Sequence, residues 1–336
     1  MDAASLTSEL VAIDSVNPSL VPGGAGEGEI AGFVAAWATA EGLAVERVGG
    51  TRPSVVVRSG GTGPTLLLCG HLDTVGVEGM TDPFVARVHG DRLHGRGGQT
   101  RLHVVRAAVA DEEHASLGVQ EVLATGLRAD AAIVTEPTHG EVVIAHKGFV
   151  WTEITVHGRA AHGSMPEKGV DAIVAAAPVL ARIGALDASL AGAPHPLLGR
   201  GSVHASLIAG GEELSTYPSR CVLSLERRTL PGEDGGDVSA LIEGVDASAR
   251  TLLVREPFAV DPEAEIVAWV REAAGGAALT AAPYWTDAAF IAAAGIPTVL
   301  FGPGGEGAHA VEEWVSIADT ERVARALVDV AARMAA

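Results

Sequence analysis

Apolar and polar positions along the chain follow two different periods. Residues 3–14 and 27–42 repeat apolar positions every three to four residues, which predicts two amphipathic helices, the second stopping at Gly42. "SVNPSLVPGGAGEG" between them has loop composition. From residue 54 the pattern changes to short continuous apolar runs: "SVVVRS", "TLLLCGH", "VVRAAVA", "AAIVTE" and, much later, "TVLFG". Runs of that length predict strands of a mainly parallel sheet buried on both faces. Segment 84–97 predicts a hairpin turning at His89–Asp91.

Residues 149–258 are organised differently. "FVWTEITVHG" alternates like a half-exposed strand, and Val170–Leu190 predicts one long amphipathic helix. "SVHASLIAGG" and "SRCVLSLERRTL" predict two strands, Asp237–Ala247 a helix, and "ARTLLVREPF" a closing strand. The order βαββαβ is that of a ferredoxin-like unit. Helix–strand alternation then resumes over 263–274, 286–294, 297–301 and 316–335. The expected fold class is α/β: a mainly parallel-sheet domain from residues 1–148 and 259–336, with 149–258 inserted as a ferredoxin-like α+β domain.

Charge narrows the function classes. With 23 Lys+Arg against 42 Asp+Glu in 336 residues, the net charge is −19. That argues against nucleic acid and against an anionic membrane as partner, since both need a basic face. Cys69 and Cys221 each sit in an apolar run and read as small buried hydrophobes, not as a disulfide or a metal pair. The first residues lack the pattern of a signal peptide. The apolar helix near Ile173–Leu186 is broken by Arg182 and expected to be too short to span a bilayer, so a cytoplasmic location is expected.

The candidate chemistry lies at strand ends, where open α/β sheets bind ligands. "TLLLCG" runs into His71 and Asp73, "VVRAAVA" into Asp111, Glu112 and Glu113, "AAIVT" into Glu136, and "TVLFG" through Gly302–Gly307 to His309. Each group alone reads as an ordinary loop residue; their arrival at one rim is what points to a site. Imidazole with carboxylate suits zinc, cobalt or manganese.

With these residues in place, the sequence resembles the co-catalytic metallohydrolases that include acetylornithine deacetylase, succinyl-diaminopimelate desuccinylase and glutamate carboxypeptidase. The matching stretches are "SVNPS" (15–19), "GHLDTV" (70–75), "LHGRG" (93–97), "VADEEHASLG" (109–118), "TEPT" (135–138), "GRAAHGSMPEKGVDAI" (158–173), "ERRTLPGED" (226–234) and "AGIPTVLFGPGGEGAHAVEEWV" (294–315). The resemblance implies a metal-dependent hydrolase that cleaves the amide bond of an N-acyl amino acid or small peptide. It implies His71 and Glu136 as ligands of one metal, and Glu113 and His309 as ligands of another. By the same likeness, Asp73 accepts the second ring N–H of His71, and Glu112 is the general base of a metal-activated water. His162 is implied as an oxyanion-stabilising residue that crosses a dimer interface. Arg228 and Ser215 stand at positions of substrate contact, Arg228 toward a substrate carboxylate. The implied cofactor is Zn2+, or Co2+ or Mn2+, one or two per chain, and the implied partner is a second copy held through the inserted domain.

One stretch departs from that pattern. After "GRG" the family continues with an Asp that bridges both metals, Met-Lys-Gly-Gly and a long helix; here "GRGGQTRLHVVRAAVADEE" passes almost directly to the next strand, with Thr100 where the Asp would stand. Two divalent ions about 3.5 Å apart repel by roughly 19 kcal/mol at an effective dielectric near 20, so loss of a bridging carboxylate predicts weak binding of the second metal. Asp91, His94 or His103 could substitute, with nothing in the spacing to favour one. A helix covering roughly 400 Å² of sheet contributes about 10 kcal/mol, so its face needs another cover. Two readings stay open: an active metallohydrolase, and a non-catalytic or metal-deficient homologue that binds an amino-acid derivative.

Overall fold

The computed structural model describes residues 2–61, 63–97, 107–235 and 237–335. Two compact units divide the chain: Met1–Ile144 with Val260–Thr280 and Thr286–Ala336, and Ala145–Ala259 with Ala281–Trp285.

In chain order the first elements are α1 (Ala3–Val11), α2 (Gly28–Ala40), β1 (Ala44–Val48), β2 (Ser54–Arg58) and β3 (Leu66–His71). Next come β4 (Arg87–His89), β5 (Arg92–His94), β6 (Ala107–Val109), α3 (Leu117–Ala124), β7 (Ala131–Val134) and β8 (Val142–His146). The second unit carries β9 (Gly148–His157), α4 (Ala172–Ala175), α5 (Ala177–Leu190), β10 (Ser202–Gly210), β11 (Arg220–Thr229), α6 (Ser239–Ile242), β12 (Ala247–Arg255) and β13 (Phe258–Ala259). The chain ends through α7 (Glu265–Ala273), β14 (Leu279–Ala282), α8 (Ala288–Ala293), β15 (Thr298–Leu300), β16 (Gly305–Glu306), β17 (Trp314–Ser316) and α9 (Ile317–Met334).

The main sheet of the first unit has the order β1-β2-β6-β3-β7-β15-β8. It is mixed: β6, β3, β7 and β15 are mutually parallel, and the strands outside them are antiparallel. The continuous apolar runs are buried along their length, as in Leu66–His71 and Ala131–Val134. Alternation sorts them by face. Leu66, Leu68 and Ile133 pack with Ile266 and Val270 of α7 and with Val323 and Leu327 of α9. Further along, Val55, Val57 and Ala108 pack with Leu6 and Leu10 of α1 and Ile30 of α2. Val56, Leu67, Cys69, Ala132 and Val134 point the other way and are equally buried. α3 and α8 lie against β2, β6, β7 and β15 and supply cover on that side. The connection from β3 to its parallel neighbour β6 contains a hairpin and, among the described residues, no helix; β4 and β5 of that hairpin join β16 and β17 in a small separate sheet.

In the second unit β10-β11-β9-β12 form an antiparallel sheet, the strand order of the expected βαββαβ unit. Ile154, Val156, Leu223 and Leu225 pack against Ala172, Ala176, Val179 and Ile183. Several expectations need correction. Val170–Leu190 is not one helix but two, divided at Ala176, because Pro178 at the start of α5 has no N–H to continue the ladder. Taken together, Ala172–Leu190 spans 19 residues and is apolar enough to cross a membrane by length and composition only; it is divided at Ala176, and Ala172, Ala176, Val179 and Ile183 are buried in the core of the second unit. Arg182 does not break it; its guanidinium donates to the carbonyls of Leu241 and Glu243 at 3.0 and 2.7 Å. The helix expected over Asp237–Ala247 is a single turn, Ser239–Ile242.

Candidate active site

Because β3, β6, β7 and β15 run parallel, their carboxyl ends share one edge of the sheet. His71 ends β3, Asp111–Glu113 follow β6, Glu136 follows β7, and the loop after β15 carries His309. Gly302 permits this convergence: a Cβ there would stand 2.1 Å from the Glu136 carbonyl oxygen.

Two pairs of ligand-type side chains result. His71 Nε2 lies 3.9 Å from Glu136 Oε1, and His309 Nε2 lies 3.0 Å from Glu113 Oε1. Two donors bound to one zinc at ~2.0–2.1 Å in tetrahedral geometry are about 3.3 Å apart; the His309–Glu113 pair is hydrogen-bonded and closer than that, and the His71–Glu136 pair is wider. Among the described residues no three His, Cys, Asp or Glu side chains are close enough to hold an ion together. Thr100 and His103 lie outside the described residues. Asp91 is engaged elsewhere, accepting from the Ser316 hydroxyl at 2.6 Å and the Ala318 N–H at 2.8 Å, and His94 packs edge-on against His89.

Asp73 organises the turn between these pairs. His71 Nδ1 lies 2.9 Å from the Asp73 backbone carbonyl and 3.5 Å from its carboxylate, so the closer acceptor for the ring N–H is the main chain. That hydrogen bond leaves Nε2 facing Glu136. The fully buried carboxylate also accepts from Asn17 Nδ2 at 2.8 Å and from the backbone N–H groups of Glu112 and Glu113 at 3.0 and 3.2 Å. Asn17 also donates to Asp111 at 3.0 Å, and Arg52 joins Asp111 to Glu27. Asp111, Ser116 and His309 all have left-handed backbone, with φ of 65°, 53° and 65°. Each such residue costs ~1–3 kcal/mol unless its surroundings hold it, and this network is what holds Asp111.

The electrostatics are unbalanced toward negative charge. Burial pushes the Glu112 carboxyl well up, against the pull of His71, and Glu136, Asp287 and Glu113 push it further. Burial likewise raises Glu136, and it pushes Asp287 up to about 7. Burial opposes charge on His71, yet Asp73, Glu136 and Glu112 outweigh it and hold that imidazole well above its usual value. Asp73 stays below the usual range despite burial, because His71, Asn17 and the Glu112 N–H stabilise its charge. The carboxylates of Asp73, Glu112, Glu113, Glu136 and Asp287 thus face two imidazoles. A divalent cation would relieve that imbalance, and imidazole with carboxylate is the donor set of zinc, cobalt or manganese. The residues fit such an ion as two half-complete pairs.

The second unit holds the other candidates. His162 is exposed and bridges to Thr216, its Nδ1 2.8 Å from the Ser164 hydroxyl, and the Gly163 N–H donates to the Ser215 carbonyl at 2.6 Å. His162 and Ser215 therefore share one loop contact. Arg228, on β11, donates to Glu226 at 2.6 Å and lies over the Phe149 ring at 5.1 Å. Sequence reasoning gave no role to Asn17, although it sits inside the quoted "SVNPS", nor to Arg52 or Asp287. The only signal for Asp287 is a lone acid before a short apolar helix in "WTDAAF".

Residues 144–245 match the M20 peptidase dimerisation domain. An acetylornithine deacetylase from Erwinia tasmaniensis is 31% identical over 319 residues, covering 82% of each chain. The chain belongs to the M20 family of acetylornithine deacetylases and peptidases. An acetylornithine deacetylase from Myxococcus xanthus is 29% identical over 364 aligned positions, 95% of this chain and 93% of that one. That alignment is longer than the 336 residues of the chain, so the relative carries residues that this chain lacks. Among solved structures, aminopeptidase PepT from Bacillus cereus superposes with a TM-score of 0.78 at 19% identity, over 99% of this chain and 98% of that one. A dinuclear metal-binding peptidase of the M20 family from Bacillus subtilis gives 0.72 at 15% identity, over 98% and 97%. The chain is accordingly a hydrolase of a metal-dependent family, with a dimerisation domain as its second unit.

Glu226 provides a titration test of the Arg228 corner. Burial raises its carboxyl, but the Trp151 N–H and Arg228 outweigh this and hold it below the usual value of 4.5. Its contribution to stability is therefore present above pH 4.5 and lost as pH falls through the lowered value. Melting curves of Glu226→Gln and unsubstituted protein should differ near neutrality and converge in acid; a gap that widens in acid would contradict the assignment. Asn17→Ala should destabilise by about 1–3 kcal/mol in urea unfolding, since it strips donors from two buried carboxylates.

Proposed function

We propose that the chain hydrolyses the amide bond of an N-acyl amino acid, in the manner of an acetylornithine deacetylase, with zinc or cobalt as the metal. The observation that carries this reading is the pairing of His71 with Glu136 and of His309 with Glu113, brought from four separate segments to one sheet edge around Glu112. A metal ion bound there would polarise the scissile carbonyl and acidify water. The chain's own part is to hold and move the proton. Glu112 suits that task because burial and neighbouring carboxylates raise its proton affinity toward the working pH of a general base. It takes a proton from the attacking water and delivers it to the departing amine nitrogen. Asp73 fixes the backbone of Glu112 and Glu113 while its carbonyl orients His71. Roles for His162 at the oxyanion, and for Arg228 and Ser215 at a substrate carboxylate, rest on family likeness alone. Two buried free cysteines go with a reducing, cytoplasmic setting.

A second reading, a metal-deficient homologue that binds an amino-acid derivative, is favoured by one observation: each pair supplies two ligands among the described residues, where a catalytic zinc takes three. Turnover of N-acetylornithine separates the two. Chelator should abolish it, zinc or cobalt should restore it, and Glu112→Gln should lower kcat by ~10²–10⁴-fold while metal content stays unchanged. Carboxylate-ligand binding that ignores both chelator and Glu112→Gln, with no turnover, would leave the second reading standing.

The dimerisation domain is proposed to pair with a second copy of the chain. Along β10 only Val203 is buried, and Leu207 and Ile208 are 69% and 57% exposed, an edge strand with apolar side chains left for a partner. Light scattering should report a dimer, and Leu207→Glu with Ile208→Glu should shift it to monomer. An unchanged mass would place the interface elsewhere.

A further inference from the structure

We infer that Arg96 and Glu313 are positioning residues for His309: buried together, they clamp the loop that carries it against the segment leaving β5. The inference rests on the reading above that gives His309 and Glu113 a place in the reaction, and it adds two residues that act through the backbone of that loop.

β5 and β17 are antiparallel, with His94 opposite Trp314 and Leu93 opposite Val315, so the residues that leave β5 face those that enter β17. Beyond the pairing, hydrogen bonds go on joining the two segments. The Gly95 N–H donates to the Glu313 carbonyl at 3.2 Å, and the Gly97 N–H donates to the Glu313 carboxylate at 3.0 Å. Arg96 Nη1 donates to the other carboxylate oxygen at 2.6 Å, while its Nη2 donates to the Ala310 carbonyl at 3.1 Å. Arg96 and Glu313 are 3% and 4% exposed. A buried ion pair is a poor way to add stability, because desolvating both charges offsets most of their attraction. What a guanidinium adds is direction. Its two arms are fixed in one plane, so a grip on Glu313 sets where Ala310 can lie. Ala310 follows His309, whose backbone is left-handed at φ 65° and whose Nε2 lies 3.0 Å from Glu113. The His309 side chain is 57% exposed, so packing alone does not hold the ring in place. Gly307 bends the chain where no side chain fits, since a Cβ there would stand 1.8 Å from the Glu312 carbonyl oxygen. The loop is therefore set on both sides of His309, at Gly307 by contact with Glu312 and at Ala310 and Glu313 by Arg96.

The test uses the full chain with isotope-labelled histidine. Arg96→Lys keeps a charge opposite Glu313 but loses the forked reach to Ala310. The double variant Arg96→Met with Glu313→Leu replaces the pair by apolar side chains and leaves no buried charge unpaired. His309→Gln assigns the His309 ring resonances and shows what loss of the imidazole itself does. Circular dichroism and melting curves report folding. Ring resonances are recorded by NMR on metal-free protein, and kcat and KM are measured with N-acetylornithine after zinc or cobalt is added. Both clamp variants should stay folded, shift the His309 ring resonances, and lower kcat by roughly 10²-fold with KM little changed, as for a misplaced reacting group. Arg96→Lys should keep more activity than the double variant. Ring resonances that stay in place in folded variants would overturn the inference, whether or not kcat falls. So would kcat lost only in proportion to the folded fraction, or failure of both clamp variants to fold, since the pair would then serve the fold alone. Unsubstituted protein that turns over no N-acetylornithine would overturn the proposed function, and the ring resonances, which need no turnover, would still decide the clamp.

Discussion

Everything at the sheet edge is governed by the difficulty of burying like charges together. Parallel strands deliver Glu112, Glu113 and Glu136 to one rim, and α8 brings Asp287 to the same region. Two carboxylates ~4 Å apart repel by about 4 kcal/mol even at an effective dielectric of 20, so a cluster of them cannot all stay ionised without positive charge. Two imidazoles are not enough to balance the set. The raised proton affinities of Glu112, Glu136 and Asp287 express the same imbalance in another form. Asp73 escapes because hydrogen bonds satisfy it, and that makes it a scaffold residue rather than part of the imbalance.

The scaffold role explains the backbone of the site. A turn that must present Glu112 and Glu113 in succession cannot be regular, and the chain adopts left-handed conformations at Asp111 and Ser116 to achieve it. Those conformations persist because side chains from distant segments grip the turn: Asp73 its N–H groups, Asn17 and Arg52 the Asp111 carboxylate. The loop before α2 is thus coupled to the strand ends through buried polar contacts, not through the apolar core. Such contacts are worth little net when complete and a good deal when one partner is removed, so the network fixes geometry more than it adds stability.

How much of this could be read from the sequence follows from which features are periodic. The buried strands and the βαββαβ unit were legible because alternation and apolar runs report burial directly. Even the hairpin at 87–94 was marked by its turn residues. The break at Ala176 was missed because apolar periodicity runs straight through it and only Pro178 betrays it. Asn17, Arg52 and Asp287 were illegible for a different reason. Each is a single polar residue in a loop or at a helix start, and its importance comes from being buried against segments 56, 59 or roughly 150–200 positions away. The acceptor for His71 is a similar case: the motif pointed to the Asp73 carboxylate, while the shortest contact goes to its carbonyl.

The contrast between packing and charge also says what a shortened β3–β6 connection changes. A crossover helix would cover apolar sheet and bring a bridging carboxylate with it. In this chain the face carrying Leu67, Cys69, Ala132 and Val134 is buried, with α3 and α8 lying on that side. Hydrophobic cover is non-directional, so any apolar helix of suitable length can supply it. A metal-bridging carboxylate has no such freedom, because its oxygens must lie within bonding distance of particular ions.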